Sequence, residues 1–133
     1  MRTAVDTNIL LDVLLPDVSH QKRSLALLNR GLSEGTLCIC EVVAAELGAQ
    51  FDEVRGMESF LRDVGIVLSK TSLTGLQDAG KRWRHYAVKR AGTRERVVAD
   101  FMIAAHALHD ADRLLTRDLG FYRAHFVDLT LLQ

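Results

Sequence analysis

TAVDTNILLDVLLPD (residues 3–17) reads as a short strand over 3–5 that Asp6-Thr7-Asn8 breaks. An apolar run over 9–15 follows, and Pro16 and Asp17 end it. Working outward, the same alternation continues. Ser19 is placed to cap a helix carrying Leu25, Leu28 and Leu32, with Gly31 and Gly35 closing it. Residues 37–40 read as a strand followed at once by a helix over 42–51. A helix over 53–64 puts Phe60, Leu61 and Val64 on one side, and Gly65 precedes a strand over 66–68. Residues 72–89 are helical despite Gly75 and Gly80, and lead into the basic 89–96, where Gly92 and Thr93 make a connection. Residues 96–110 give the clearest helical pattern, and short strands are expected over 114–116 and 126–129. Strands alternating with helices predict an α/β fold around a mainly parallel sheet.

The chain has 133 residues, 48% of them hydrophobic and 26% charged, as in ordinary soluble domains. With no repeat, low-complexity tract or linker, one domain over 1–133 is expected. Formal net charge is zero, so no global charge marks a nucleic-acid partner. Locally, residues 81–96 hold seven Lys/Arg against the single acid Glu95, and the remainder is acidic by the same margin. A basic stripe on an acidic body suits a polyanion; a solvated helix face explains it equally well. Cys38 and Cys40 sit two apart on one strand face, which is poor disulfide geometry. A reducing cytoplasm is therefore expected. No stretch approaches the ~20 apolar residues of a membrane span, and Asp6 inside the first apolar run makes a poor signal peptide.

The informative residues are acids in places that folding alone does not choose. Asp6 ends the first strand, where parallel α/β sheets collect ligands. Glu46 lies in VVAAELGAQF (42–51) on the face of Val42 and Val43. Asp100 interrupts VVADFMIAAHAL (97–108), and Asp118 follows the strand over 114–116. A lone carboxylate on a buried face costs several kcal/mol unless paired, hydrogen-bonded or metal-bound. Taken singly, Asp6 and Asp118 also suit turns or caps, Glu46 a solvent-facing helix edge, and Asp100 a first helical turn. Together they suit a shared cation. An all-carboxylate set without a His/Cys pattern selects Mg²⁺ or Mn²⁺ over Zn²⁺, and the fitting chemistry is metal-assisted phosphodiester hydrolysis.

In order along the chain, AVDTNILLD (4–12), VVAAELG (42–48), VVADFMIAAHAL (97–108) and LLTRDLGFYR (114–123) resemble the four site blocks of PIN-domain nucleases, and among them of VapC-type toxins. The resemblance implies a three-layer α/β/α fold and Mg²⁺ or Mn²⁺ held by Asp6, Glu46, Asp100 and Asp118 as catalytic ligands. Thr7, Asn8, Thr116 and Arg117 would surround them. It also implies endonucleolytic RNA cleavage, a homodimer and a VapB-type antitoxin partner. Cys40-Glu41 departs from the Ser or Thr that more often opens this helix in the family. Glu41, about 140° round the helix from Glu46, reads as an N-terminal acid and not a ligand.

Other residues carry two readings each. Asp12 is a surface acid or one that supports the site from behind. Arg117 touches a phosphate or forms a salt bridge. Lys89, Arg90, Arg94 and Arg96 stand where they could track an RNA backbone. His106 reads as a packed core residue; Trp83 and Tyr86 could stack on bases but pack more naturally. Residues 51–61 mix apolar and charged positions, as a dimer or antitoxin surface would. The rival functions are a PIN nuclease of RNA processing or decay, a catalytically silent binding domain on the same fold, and a metal-dependent phosphatase. Asp6-Thr7-Asn8 lacks the second acid of the phosphatase Asp-x-Asp arrangement.

Overall fold

A computed structural model describes residues 1–15, 19–89 and 98–133. Arg90, Arg94, Arg96 and the side chain of Lys89 lie outside the described residues. The chain runs β1 (Arg2–Val5), α1 (Thr7–Leu14), α2 (Gln21–Glu34), β2 (Thr36–Ile39), α3 (Glu41–Gly48) and α4 (Val54–Val64). It continues β3 (Ile66–Leu68), α5 (Leu73–Lys89), α6 (Val98–Asp110), β4 (Arg113–Leu115), α7 (Leu119–His125) and β5 (Leu131–Leu132). The strands form one parallel sheet in the order β3-β2-β1-β4-β5. Helices and sheet make the three-layer α/β/α arrangement. Among the described residues no helix is long and apolar enough to cross a membrane.

Parallel strands covered on both faces read as unbroken apolar runs. Ala4 and Val5 of β1, Leu37, Cys38 and Ile39 of β2, and Leu114 and Leu115 of β4 are accordingly all buried. The edge strand β3 leaves Val67 and Leu68 exposed. Helix α6 is apolar almost all round and buries Phe101, Ile103, Ala104, Ala105, His106 and Ala107, as a core helix must. His106 is thus a packed core residue, its imidazole pKa lowered chiefly by burial. Cys38 and Cys40 are free and buried, and burial pushes the Cys38 thiol up to about 11.

Two expected features move. The stretch 126–129 is not a strand: Leu119, Tyr122 and Phe126 have helical spacing, and α7 forms instead, with Phe126 as its C-cap. The last strand is β5, pairing Leu131 with Leu114. Ser19 does not cap α2, whose N-cap position is His20, without a side-chain capping bond. The α4 terminus needs a glycine. Gly65 has φ +83° and donates its N–H to Leu61 O at 2.9 Å and Arg62 O at 3.1 Å, the left-handed ending that glycine adopts without strain. Gly65→Ala should cost about 1 kcal/mol, seen as a lower urea midpoint at unchanged slope.

The sheet topology locates the site. From β1 the chain builds outward through β2 to β3 on one side, then returns to build β4 and β5 on the other. The order reverses between β1 and β4, and ligands of parallel α/β sheets bind beyond the strand ends at such a point. Asp6 follows β1; Thr116 and Asp118 follow β4.

Candidate active site at the strand reversal

Asp6 occupies the N-cap of α1 in an extended conformation, and its backbone N–H donates to Leu115 O at 2.9 Å, joining the two strand ends. Its carboxylate is 6% exposed. One oxygen accepts the Thr7 N–H at 2.7 Å; the other accepts the hydroxyls of Thr116 at 2.7 Å and Tyr122 at 3.2 Å. Burial raises the Asp6 pKa, the hydrogen bonds from Thr116, Thr7 and Tyr122 oppose the rise, and the charge of Asp100 adds to it. The folded protein therefore holds this proton more tightly than the unfolded chain does. Stability contributed by the protonated form is lost as pH rises from the ordinary carboxylate value through the raised one.

The flanking residues lock the turn. Thr116 Oγ1 donates to Asp6 and accepts the Asp118 N–H at 3.0 Å and the Asn8 amide at 3.4 Å. Asn8 in turn accepts the Arg117 N–H at 3.3 Å through its side-chain oxygen. Asp118 is the N-cap residue of α7 and is half-buried. Asp100 stands in the first turn of α6, half-buried. The charges of Asp6, Asp100 and Asp118 all act on the Tyr122 hydroxyl, adding to the effect of burial, so its pKa is raised far above the ordinary tyrosine value.

Glu46 takes the solvent-facing helix edge, the second of the two readings its sequence allows, and not the buried face of Val43. Its side of α3 is exposed, so it carries no burial penalty. It joins the group through Thr7, whose hydroxyl donates to Glu46 Oε1 at 2.7 Å. The cost of burial therefore falls mainly on Asp6, where hydrogen bonds offset part of it, less on the half-buried Asp100 and Asp118, and not on the exposed Glu46. Among the described residues, no three Asp, Glu, His or Cys side chains stand close enough to hold an ion. The acids share a neighbourhood around Asp6 and Tyr122, not a closed coordination sphere.

Asp12 is buried, 3% exposed, and not on the surface. Arg117 grips it with two bonds, Nε to Oδ2 at 2.7 Å and Nη2 to Oδ1 at 2.9 Å, while the Ser24 hydroxyl donates to Oδ2 at 2.7 Å. The salt-bridge reading of Arg117 is the one realised. Glu41 is likewise no part of the acid group: it accepts the N–H and hydroxyl of Thr71, each at 2.9 Å. Tyr86 is buried, its ring 5.4 Å from Phe101, so it packs. Tyr122 escaped the sequence reading altogether. Its signal was the helical spacing of Leu119, Tyr122 and Phe126, which places an aromatic one turn beyond Asp118.

The PIN domain family model matches residues 3–127. The chain belongs to the PIN domain family. No curated protein matches it in sequence. Solved structures of the same fold include VapBC-1 from nontypeable Haemophilus influenzae, at 22% identity and TM-score 0.71 over 98% of this chain and 96% of that one. VapBC2 from Rickettsia felis, bound to a DNA fragment from its promoter, gives 20% identity and TM-score 0.68 over 98% and 97%. FitAcB from Neisseria gonorrhoeae gives 23% identity and TM-score 0.68 over 98% and 96%. In this PIN chain the first and last blocks meet at the β1–β4 reversal, and the α3 and α6 blocks bring Glu46 and Asp100 towards it.

Proposed function

We propose that this PIN protein is a Mg²⁺- or Mn²⁺-dependent endoribonuclease, the toxin of a VapBC-type pair, working as a cytoplasmic homodimer restrained by a VapB-type antitoxin. Proteins of the PIN family are in general nucleases. The fold shared with chains of VapBC and FitAcB complexes supports the antitoxin. The observation that carries the chemistry is Asp6: a buried carboxylate at the strand reversal, with the charges of Asp100 and Asp118 directed at the same hydroxyl that bonds it.

The donors fit a hard divalent cation in kind, being oxygens only. Asp6, Asp100 and Asp118, with Glu46 as the fourth acid, would hold it. Bound there, the ion would supply Lewis-acid activation of water and neutralise charge developing on the phosphate. The chain's own residues do the positioning. Thr116 and the Thr7 N–H fix the Asp6 carboxylate, and the Thr7 hydroxyl tethers Glu46. Asn8 ties the turn after β1 to the segment after β4. Tyr122, almost fully buried, donates its hydroxyl to Asp6 and helps fix that carboxylate.

RNA cleavage should stop in EDTA and return with Mg²⁺ or Mn²⁺, leaving 5′-phosphate and 3′-hydroxyl ends. Undiminished cleavage in chelator, with 2′,3′-cyclic ends, would show attack by the RNA 2′-hydroxyl and overturn the proposal.

A further inference from the structure

A cleft of about 810 Å³ is lined by none of the four acids Asp6, Glu46, Asp100 and Asp118. It runs between the C-terminal half of α5 and α7, with Lys81, Arg84 and His85 on one wall and His125 on the other. Arg82 also lines it but is committed within the fold. It bonds Asp78 at 3.1 Å and Asp128 at 2.7 Å, and its guanidinium lies 4.4 Å over the Phe126 ring. Asp78 is engaged by Arg82 and His109 together. Lys81, Arg84 and His85 are exposed, and among the described residues none of the three forms a hydrogen bond or ion pair.

Two short runs of chain join this cleft to the acids. Phe101, the residue after Asp100, packs on the Tyr86 ring at 5.4 Å and the His125 ring at 6.3 Å, under the cleft. His125 stands three residues beyond Tyr122 on α7, about 4.5 Å of helix rise. The volume falls in the range of roughly 300–1,000 Å³ usual for organic ligands, enough for a nucleotide and more than a lone ion needs.

We propose that this cleft binds the substrate RNA next to the cleaved bond, Lys81 and Arg84 holding phosphates and the His85 and His125 rings facing a base. The inference rests on the ribonuclease reading above and names where its substrate lies. Cations without a partner among the described residues, lining a cleft whose walls run on to the Asp100 and Tyr122 segments, match a polyanion that must pass the acid site. Flat rings beside them suit base stacking without sequence readout.

The test is the Lys81→Gln/Arg84→Gln double variant, both positions being exposed on a helix, with its Tm compared to that of the original protein. Cleavage of a short labelled single-stranded RNA in Mg²⁺ should show KM raised about tenfold with kcat unchanged. Binding of the same RNA in EDTA should lose roughly 1.4 from its log–log salt slope, about 0.7 for each phosphate contact removed. If the original protein cleaves RNA and the variant matches its KM and salt slope, the cleft proposal falls while the nuclease reading stands. Unchanged RNA values with lost binding of a poly-glutamate peptide would assign the cleft to an acidic protein segment and overturn the proposal. If the original protein neither binds nor cleaves RNA, both readings fall together.

Discussion

Asp100→Asn and Asp6→Asn should each leave a folded protein whose RNA cleavage is reduced by more than 100-fold. Loss of an outer partner of a metal site already costs roughly 10–100-fold, and these residues are proposed to touch the ion itself. The two variants differ in what they do to the fold. Asp100 raises the pKa of Asp6 and of Tyr122 by its charge, so removing that charge relieves repulsion on both groups. Asp6 also caps α1, and its carboxylate accepts four hydrogen bonds, from the Thr7 N–H, the Thr116 and Tyr122 hydroxyls and, at 3.5 Å, the Asn8 amide. Its replacement by Asn is tolerated because the amide oxygen can still accept the Thr7 N–H and the Tyr122 hydroxyl can turn to accept from the amide nitrogen. Thr116 Oγ1, which already accepts from Asp118 and Asn8, must give up the long 3.4 Å Asn8 bond to do the same. Asp6→Ala has no such escape and should cost about 1–3 kcal/mol. Thermal unfolding in EDTA, beside the cleavage assay, separates the electrostatic role of Asp6 from its capping role. Near-normal cleavage in both Asn variants would remove the acid site. Retained cleavage in one alone would mean that residue is not a ligand.

Arg117→Ala should produce the largest loss of stability among the site's neighbours. It leaves the Asp12 carboxylate, 3% exposed, with only the Ser24 hydroxyl. Breaking a fully buried ion pair from one side costs about 3–5 kcal/mol. The Arg117 side chain is 37% exposed, so solvent already screens the pair, and about 2–3 kcal/mol is the better expectation. Asp12→Ala should cost less, about 1–2 kcal/mol, because the released guanidinium can turn into water. Urea unfolding of both variants checks the order. A stable Arg117→Ala protein with impaired cleavage would instead give the guanidinium to a substrate phosphate.

The first strand, the acid after it and the α6 acid were legible because their signals are local. An apolar strand broken by Asp-Thr-Asn, or a carboxylate inside an otherwise apolar helix, stands out within a few residues. Contacts across the chain were not legible. Nothing near Asp12 announces Arg117, 105 positions away, and the pair exists only because β1 and β4 are neighbours. Glu46 misled for a related reason: α3 spans just Glu41–Gly48, and its Ala45–Glu46 edge is exposed apart from the bond that Glu46 accepts from Thr7, so an apolar-looking sequence leaves that edge largely in solvent. Tyr122 was hidden by reading residues 126–129 as a strand, which left the α7 aromatics without their helical period. The basic positions at 90, 94 and 96 lie outside the described residues, whereas Lys81 and Arg84, in the same stripe, line a cleft.

The central claim is that Asp6 and Asp100 serve one divalent cation, and metal-linked stability tests it without any RNA. Thermal unfolding of the original protein, Asp6→Asn and Asp100→Asn is compared in EDTA and in a Mg²⁺ series. A cation that binds only the folded site must raise Tm with its concentration. The account predicts a concentration-dependent rise in the original protein and a much smaller one in each variant. An equal rise in all three proteins, or none in the original, would contradict it.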